Sequence, residues 1–149
     1  MTRVAAAALL LLVAGCATAP LAPAGISGEA WHLQAAASAS AALYGPPDSE
    51  ARFAIRCEAD RRRIVLVAVG ASRADRLGIR IDGRETRLPT RFEEEGLPAL
   101  VADVALDDAM LDRLATAPRF AIAVGEAGDV TLPGDPAIGQ VIRSCRRPA

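Results

Sequence analysis

The sequence predicts a mainly β domain of α+β class, an antiparallel sandwich or partly open barrel with two short helices near its C-terminus. Three observations lead there. Apolar residues come in runs too short for helices, rich in Val, Ile and Ala, and separated by polar or Gly/Pro punctuation. One pair of these runs flanks Asp82-Gly83, a dipeptide suited to a two-residue hairpin turn. The apolar period changes to helical spacing only after Asp107, so helices do not alternate with strands as a parallel α/β fold requires.

Taken in order, residues 29–37 alternate, with Trp31 and Leu33 on one face and His32 and Gln34 on the other. Residues 39–44 end at Tyr44 before Gly45-Pro46-Pro47, a firm break. Residues 51–57 place Ala51, Phe53, Ile55 and Cys57 on one face, with Arg52 and Arg56 on the other. A polar turn at 58–62 joins them to the continuous apolar run 63–69, and the two read as a hairpin. Residues 77–81 and 84–88 flank Asp82-Gly83, the acidic stretch 93–96 reads as a surface turn, and 99–105 forms another strand.

Asp107 is suited to cap a helix carrying Met110, Leu111 and Leu114, which ends before Pro118. Residues 119–124 and 130–132 return to strand. Asp135-Pro136 then reads as a cap followed by proline at the first helical position, with Ile138, Val141, Ile142 and Cys145 on one stripe. The expected sum is seven or eight strands.

The chain begins Met1-Thr2-Arg3 and runs from Val4 to Ala14 without a polar residue. At about 1.5 Å per residue this reaches roughly half of a hydrocarbon core of about 30 Å, the length of a secretory signal rather than a membrane span. The stretch closes on Val13-Ala14-Gly15-Cys16, which resembles the lipobox of bacterial lipoproteins. That resemblance implies cleavage before Cys16, lipid on its thiol and anchorage in the cell envelope; Ala17 rather than Asp implies the outer membrane over the inner, with the periplasmic face as the expected location. The organisation expected is therefore a signal peptide at 1–15, the lipidated cysteine and a Pro/Gly-rich tether at 16–28, and one domain at 29–149.

Setting Cys16 aside leaves Cys57 and Cys145, an even pair in an oxidising compartment, expected to form a disulfide. All 17 basic residues are Arg, against 18 acidic residues. This balance gives no reason to expect nucleic acid. The order of Trp31, Arg56-Cys57-Glu58, Leu111 to Phe120, Leu132-Pro133 and Ile138 to Cys145-Arg146 resembles a group of small lipoproteins of alphaproteobacteria, sphingomonads above all. Those motifs are structural and carry over no functional residue.

Candidate chemistry is sparse. His32, the single histidine, reads as a solvent-facing strand residue, and no serine stands in a Gly-x-Ser-x-Gly elbow. The carboxylates Glu93 to Glu95, Asp107, Asp108 and Asp112 fall in a turn and at a helix start, where acids serve solubility and capping. Two cysteines and one distant histidine do not make a metal site, so no catalytic residue, metal or cofactor is expected. Arg61, Arg62 and Arg63 form the one dense charge run, suited to an anionic lipid or an acidic partner, or to a solvated hairpin tip. Trp31 and Tyr44 read as core anchors.

The expectation is a non-enzymatic binding or structural module whose partners are a membrane, through its lipid, and another envelope component. The alternative is an inhibitor of a lysozyme or protease that presents 70–76 or 92–98 as an ordered loop. The anchor has a direct test. Incorporation of a fatty-acid analogue should vanish in Cys16→Ser, and label persisting in that variant would refute the lipobox reading.

Overall fold

A computed structural model describes residues 28–35, 39–47, 49–125 and 128–147. Cys16, the signal peptide and the tether before Gly28 lie outside the described residues. Among the described residues nine strands form: β1 (Ala30–Ala35), β2 (Ser40–Gly45), β3 (Phe53–Glu58), β4 (Arg63–Val69), β5 (Arg76–Ile81), β6 (Arg84–Glu93), β7 (Ala99–Ala105), β8 (Arg119–Val124) and β9 (Asp129–Pro133). Two helices, α1 (Ala109–Thr116) and α2 (Pro136–Arg146), complete the fold. The strands make one antiparallel sheet in the order β1-β2-β3-β4-β7-β6-β5-β8-β9, curled into a half-barrel. The mainly β expectation holds, in its partly open barrel form. The strand count exceeds the expected seven or eight because the two Ala-rich runs before Phe53 pair as a full hairpin, from Ala30↔Gly45 to Ala35↔Ser40.

Asp82 and Gly83 both have positive φ, 48° and 76°, the geometry of the two-residue turn that this dipeptide favours. Strand β6 runs five residues beyond the expected end at Leu88, so Glu93 belongs to the strand and the acidic turn begins at Glu94. Pro89 ends its pairing with β5, opposite Arg76, and from Thr90 onward β6 pairs with β7. A proline cannot donate to a ladder and suits the point where a strand changes partners. The freed Thr90 is held by its own N–H on the Asp75 carbonyl and its hydroxyl on the Ala74 carbonyl.

The concave face carries the main core: Phe53, Ile55, Ile64, Leu66, Leu77, Ile79, Leu100, Val104, Phe120 and their neighbours. All strands alternate in direction, so one end of the half-barrel collects Gly45, Val69, Glu93 and Val124, and the other collects Glu58, Ala105 and Pro133. Both helices start at that second end and close it. Asp108, one residue later than expected from the sequence, caps α1 by accepting from Met110 N at 2.8 Å. Asp135 caps α2 in the same way through Ala137 N. Helix α2 packs on α1, β2 and β3 with Ile138, Val141, Ile142 and Cys145 buried. Gly134 is fixed by close approach: a Cβ there would overlap the Ala117 carbonyl, while its N–H donates to Pro118 O at 2.8 Å.

The Cys57 and Cys145 sulfurs stand within bonding distance, with Cα atoms 5.4 Å apart, suitable for a disulfide. The Ser40 and Ser144 hydroxyls meet at 2.7 Å, and Arg146 bridges α2 to Leu106 O and to Asp112. Together these contacts tie the helical plug to the sheet.

The convex face has a smaller apolar cluster of Ala54, Val65, Val67, Ala99 and Val101, with Val65 and Val101 each only 1% exposed. Charged residues flank it in an alternating chain. Arg63 bonds Glu58 and Asp103, and Arg91 bonds Asp103 and Glu93, all at 2.6–3.0 Å. Arg91 is the register partner of Val101, and Arg63 is on the same face as Val65 two residues away, so their aliphatic stems are placed to shield the valines.

Replacing Cys57 and Cys145 together by Ser should lower unfolding free energy by about 4 kcal/mol through loss of a long closed loop. Denaturant titration would check this; an unchanged midpoint would show that the plug is held without the cross-link.

Candidate functional site: a cleft at the open end of the half-barrel

Opposite the helical plug, the concave face opens in a cleft of about 460 Å³. Its walls are the ends of β2, β3 and β4, the 70–72 segment, and the strands β8 and β9. Phe53, Ala68, Ile122 and Leu132 belong to the core and form its apolar floor; Val130, exposed at 56%, stands at its lip. Such a volume lies within the range of small-ligand pockets.

Aromatic side chains gather beneath it. Trp31 lies 5.3 Å from Tyr44 and 6.2 Å from Phe120, and Phe120 lies 6.1 Å from Phe53, measured between ring centroids. Four of the chain's five aromatic residues therefore meet in one cluster. Trp31 and Tyr44 do pack on the core as expected, and Tyr44 also reaches the cleft. The Trp31 indole donates to Pro133 O at 2.7 Å, linking by a side chain the strands β1 and β9, the two edges of the sheet among the described residues, where no backbone ladder joins them.

Glu29, Tyr44 and Arg52 form a polar corner of the cleft, with Ser72 and Thr131 also in its lining. Arg52 Nε stands 2.6 Å from Glu29 Oε1, with the Arg52 side chain 71% exposed and that of Glu29 16%. The pair is short but poorly aligned for a hydrogen bond, leaving that buried oxygen without a well-directed donor. Burial raises the Tyr44 phenol above its ordinary pKa, the nearby Glu29 carboxylate raises it further, and Arg52 opposes. The folded chain thus holds the phenolic proton more tightly than the unfolded chain. The resulting stability is complete below the ordinary tyrosine range and is lost as pH rises through the folded value.

The two loops singled out from the sequence lie side by side at this open end. Arg73 bonds Glu94 at 2.7 Å and sits 4.6 Å over the Phe92 ring, while Gly70 N–H donates to Pro98 O at 2.7 Å. They are exposed and fastened to one another, with Leu97 52% exposed at the tip.

Other sequence candidates are dispersed. His32 is exposed on β1, opposite Leu43, away from the carboxylate runs. Asp108 is a helix cap and Asp112 pairs with Arg146. Of the arginine run, Arg63 is engaged by Glu58 and Asp103, and Arg61 lies 3.6 Å from Glu58. Arg62 is exposed in a left-handed conformation at the hairpin tip. The run therefore offers less free positive charge than its sequence suggests. Among the described residues, no three of His, Cys, Asp and Glu converge to hold a metal ion, and no helix is long and apolar enough to cross a membrane. Compared with models of known families, with curated proteins and with solved structures, the chain matches none.

Sequence reasoning passed over the cleft itself because Glu29, Arg52, Ala71, Val124 and Val130 are far apart in the chain and individually ordinary. The scarcity of aromatics was the available signal. Since Tyr44 is the only tyrosine, alkaline absorbance titration reports it alone. Its midpoint should lie above that of free tyrosine and fall part of the way back in Glu29→Gln; an ordinary midpoint in the unaltered chain would contradict the described burial.

Proposed function

We propose that this chain is an envelope lipoprotein, anchored by lipid at Cys16 on the periplasmic face of the outer membrane, whose β-domain is a non-enzymatic binding module. The observation that carries the binding part is the cleft: an apolar floor, a polar corner and a mouth left open while two helices close the other end. An apolar core that stops short of sealing its own barrel leaves surface that a ligand can cover. The Arg61 to Arg63 tip is a second contact point in this reading, for anionic lipid or an acidic partner, with Arg62 the most available of the three.

The clamped loops favour one other reading, an inhibitor of a lysozyme or protease. A loop held by Arg73 and tipped by Leu97 is preorganised to enter an active site with little loss of entropy.

An environment-sensitive apolar dye titrated into the purified full chain should bind saturably. Ala71→Trp, a change in the cleft wall outside the strands, should abolish uptake while thermal stability is retained. Dye uptake that never saturates, or that survives Ala71→Trp, would remove the cleft as a site. On the inhibitor reading, suppression of a lysozyme or protease should instead be lost in Leu97→Asp.

A further inference from the structure

We propose that the cleft's occupant is an extended peptide segment of a partner protein, which adds itself as a strand to the free edge of β9. The inference rests on the reading of the cleft as a binding site and names the chemistry of what enters it. Strand β9 is the last in the sheet: β8 pairs with one side of it, and among the described residues no strand pairs with the other. Of its five residues only Leu132 is buried, and Val130 is one of the three large apolar side chains left exposed among the described residues.

Gly128, Val130, Thr131 and Leu132 of this segment form one wall of the cleft. One wall is therefore a strand edge, whose outward N–H and C=O groups lack a neighbouring strand. A small apolar solute would cover the floor but leave those groups without partners. An extended polypeptide supplies both backbone partners for the edge and alternate side chains for the apolar floor.

The limits of the docking strip follow from the same contacts. Pro133 has no N–H to offer, and its carbonyl already accepts from the Trp31 indole, so pairing ends there. At the other end Asp129 is tied to Arg80. Between them, Val130 and Thr131 carry none of the charge or proline that usually protects an edge. The opposite edge, β1, has an exposed Leu33, but the hollow beside that residue is about 230 Å³, half the volume behind β9. The larger hollow at Gln34 and Ala35, about 520 Å³, is lined by Arg56 and Glu58 and by none of the large apolar side chains that floor the β9 cleft. The favoured ligand is accordingly a short extended peptide with apolar residues at every second position, one of them seated beside Phe53, Ile122 and Leu132.

The test is selection from a display library of random short peptides on the immobilised full chain. Enriched sequences should share apolar residues at alternate positions, and N-methylation of a central peptide bond should weaken binding about ten-fold, as expected for one lost backbone hydrogen bond. Val130→Lys should weaken binding similarly at an unchanged thermal midpoint. Absence of enrichment, indifference to N-methylation, or indifference to Val130→Lys would each overturn the proposal, as would self-association of the chain that Val130→Lys abolishes. The dye titration separates two kinds of failure. Saturable dye uptake without peptide binding removes the peptide and leaves the cleft as a site, whereas loss of both removes the cleft reading as well.

Discussion

Strand β6 gives Arg84 to Pro89 to β5 and Thr90 to Glu93 to β7, and the curl of the sheet depends on that change of partner. A strand that kept one neighbour on each side for its whole length would favour an open twisted sheet with two broad faces. By passing from one pairing to the other at Pro89, β6 joins β5, β8 and β9 to the β1–β4 and β7 group and lets the two groups face inward. The contacts of Thr90 with Ala74 and Asp75 replace ladder bonds at that corner. The position of the 70–76 segment, and with it one wall of the cleft, follows from this corner.

Curling a sheet onto itself gives a core with two ends, and this chain treats them differently. At one end α1 and α2 bury Met110, Leu111, Ile138 and Val141, with capping carboxylates and the Cys57–Cys145 pair fixing the helices in place. The other end has loops that are fastened to one another by Arg73, and they do not fold over the opening. The outer face is shielded in a third way, by small β-branched residues beside a chain of ion pairs. Exposed ion pairs of this kind contribute little stability individually. Their placement beside Val65 and Val101 makes the aliphatic part of each arginine as relevant as its charge.

Most elements were legible in the sequence because their signals are local. Alternation marked Phe53 to Cys57, Asp82-Gly83 marked its hairpin, and Asp135-Pro136 marked the start of α2. The last five residues of β6 were missed because Pro89 reads as a terminator when the neighbour that accepts the rest of the strand is unknown. The cap of α1 falls on Asp108 rather than Asp107 because two adjacent carboxylates are equivalent by composition, and only the structure shows that Asp108 has the extended backbone and accepts from Met110 N. The cleft was hidden for a deeper reason. Its walls come from separated segments, and what makes it a cleft is where the sheet stops closing, a property of topology with no residue signature. Trp31 and Tyr44 were read as core anchors, which they are, but a pattern of single residues does not show that they converge with Phe53 and Phe120 next to an opening.

The bond from Trp31 to Pro133 makes the seam of the half-barrel optically addressable. The chain has one tryptophan, and its indole N–H is the donor that links the two edge strands. Emission from an indole responds to its hydrogen bonding and to the water around it. Widening, closing or filling of the seam therefore acts on the one intrinsic fluorophore of its kind. The unlabelled protein carries its own gauge at the place where its sheet is incomplete.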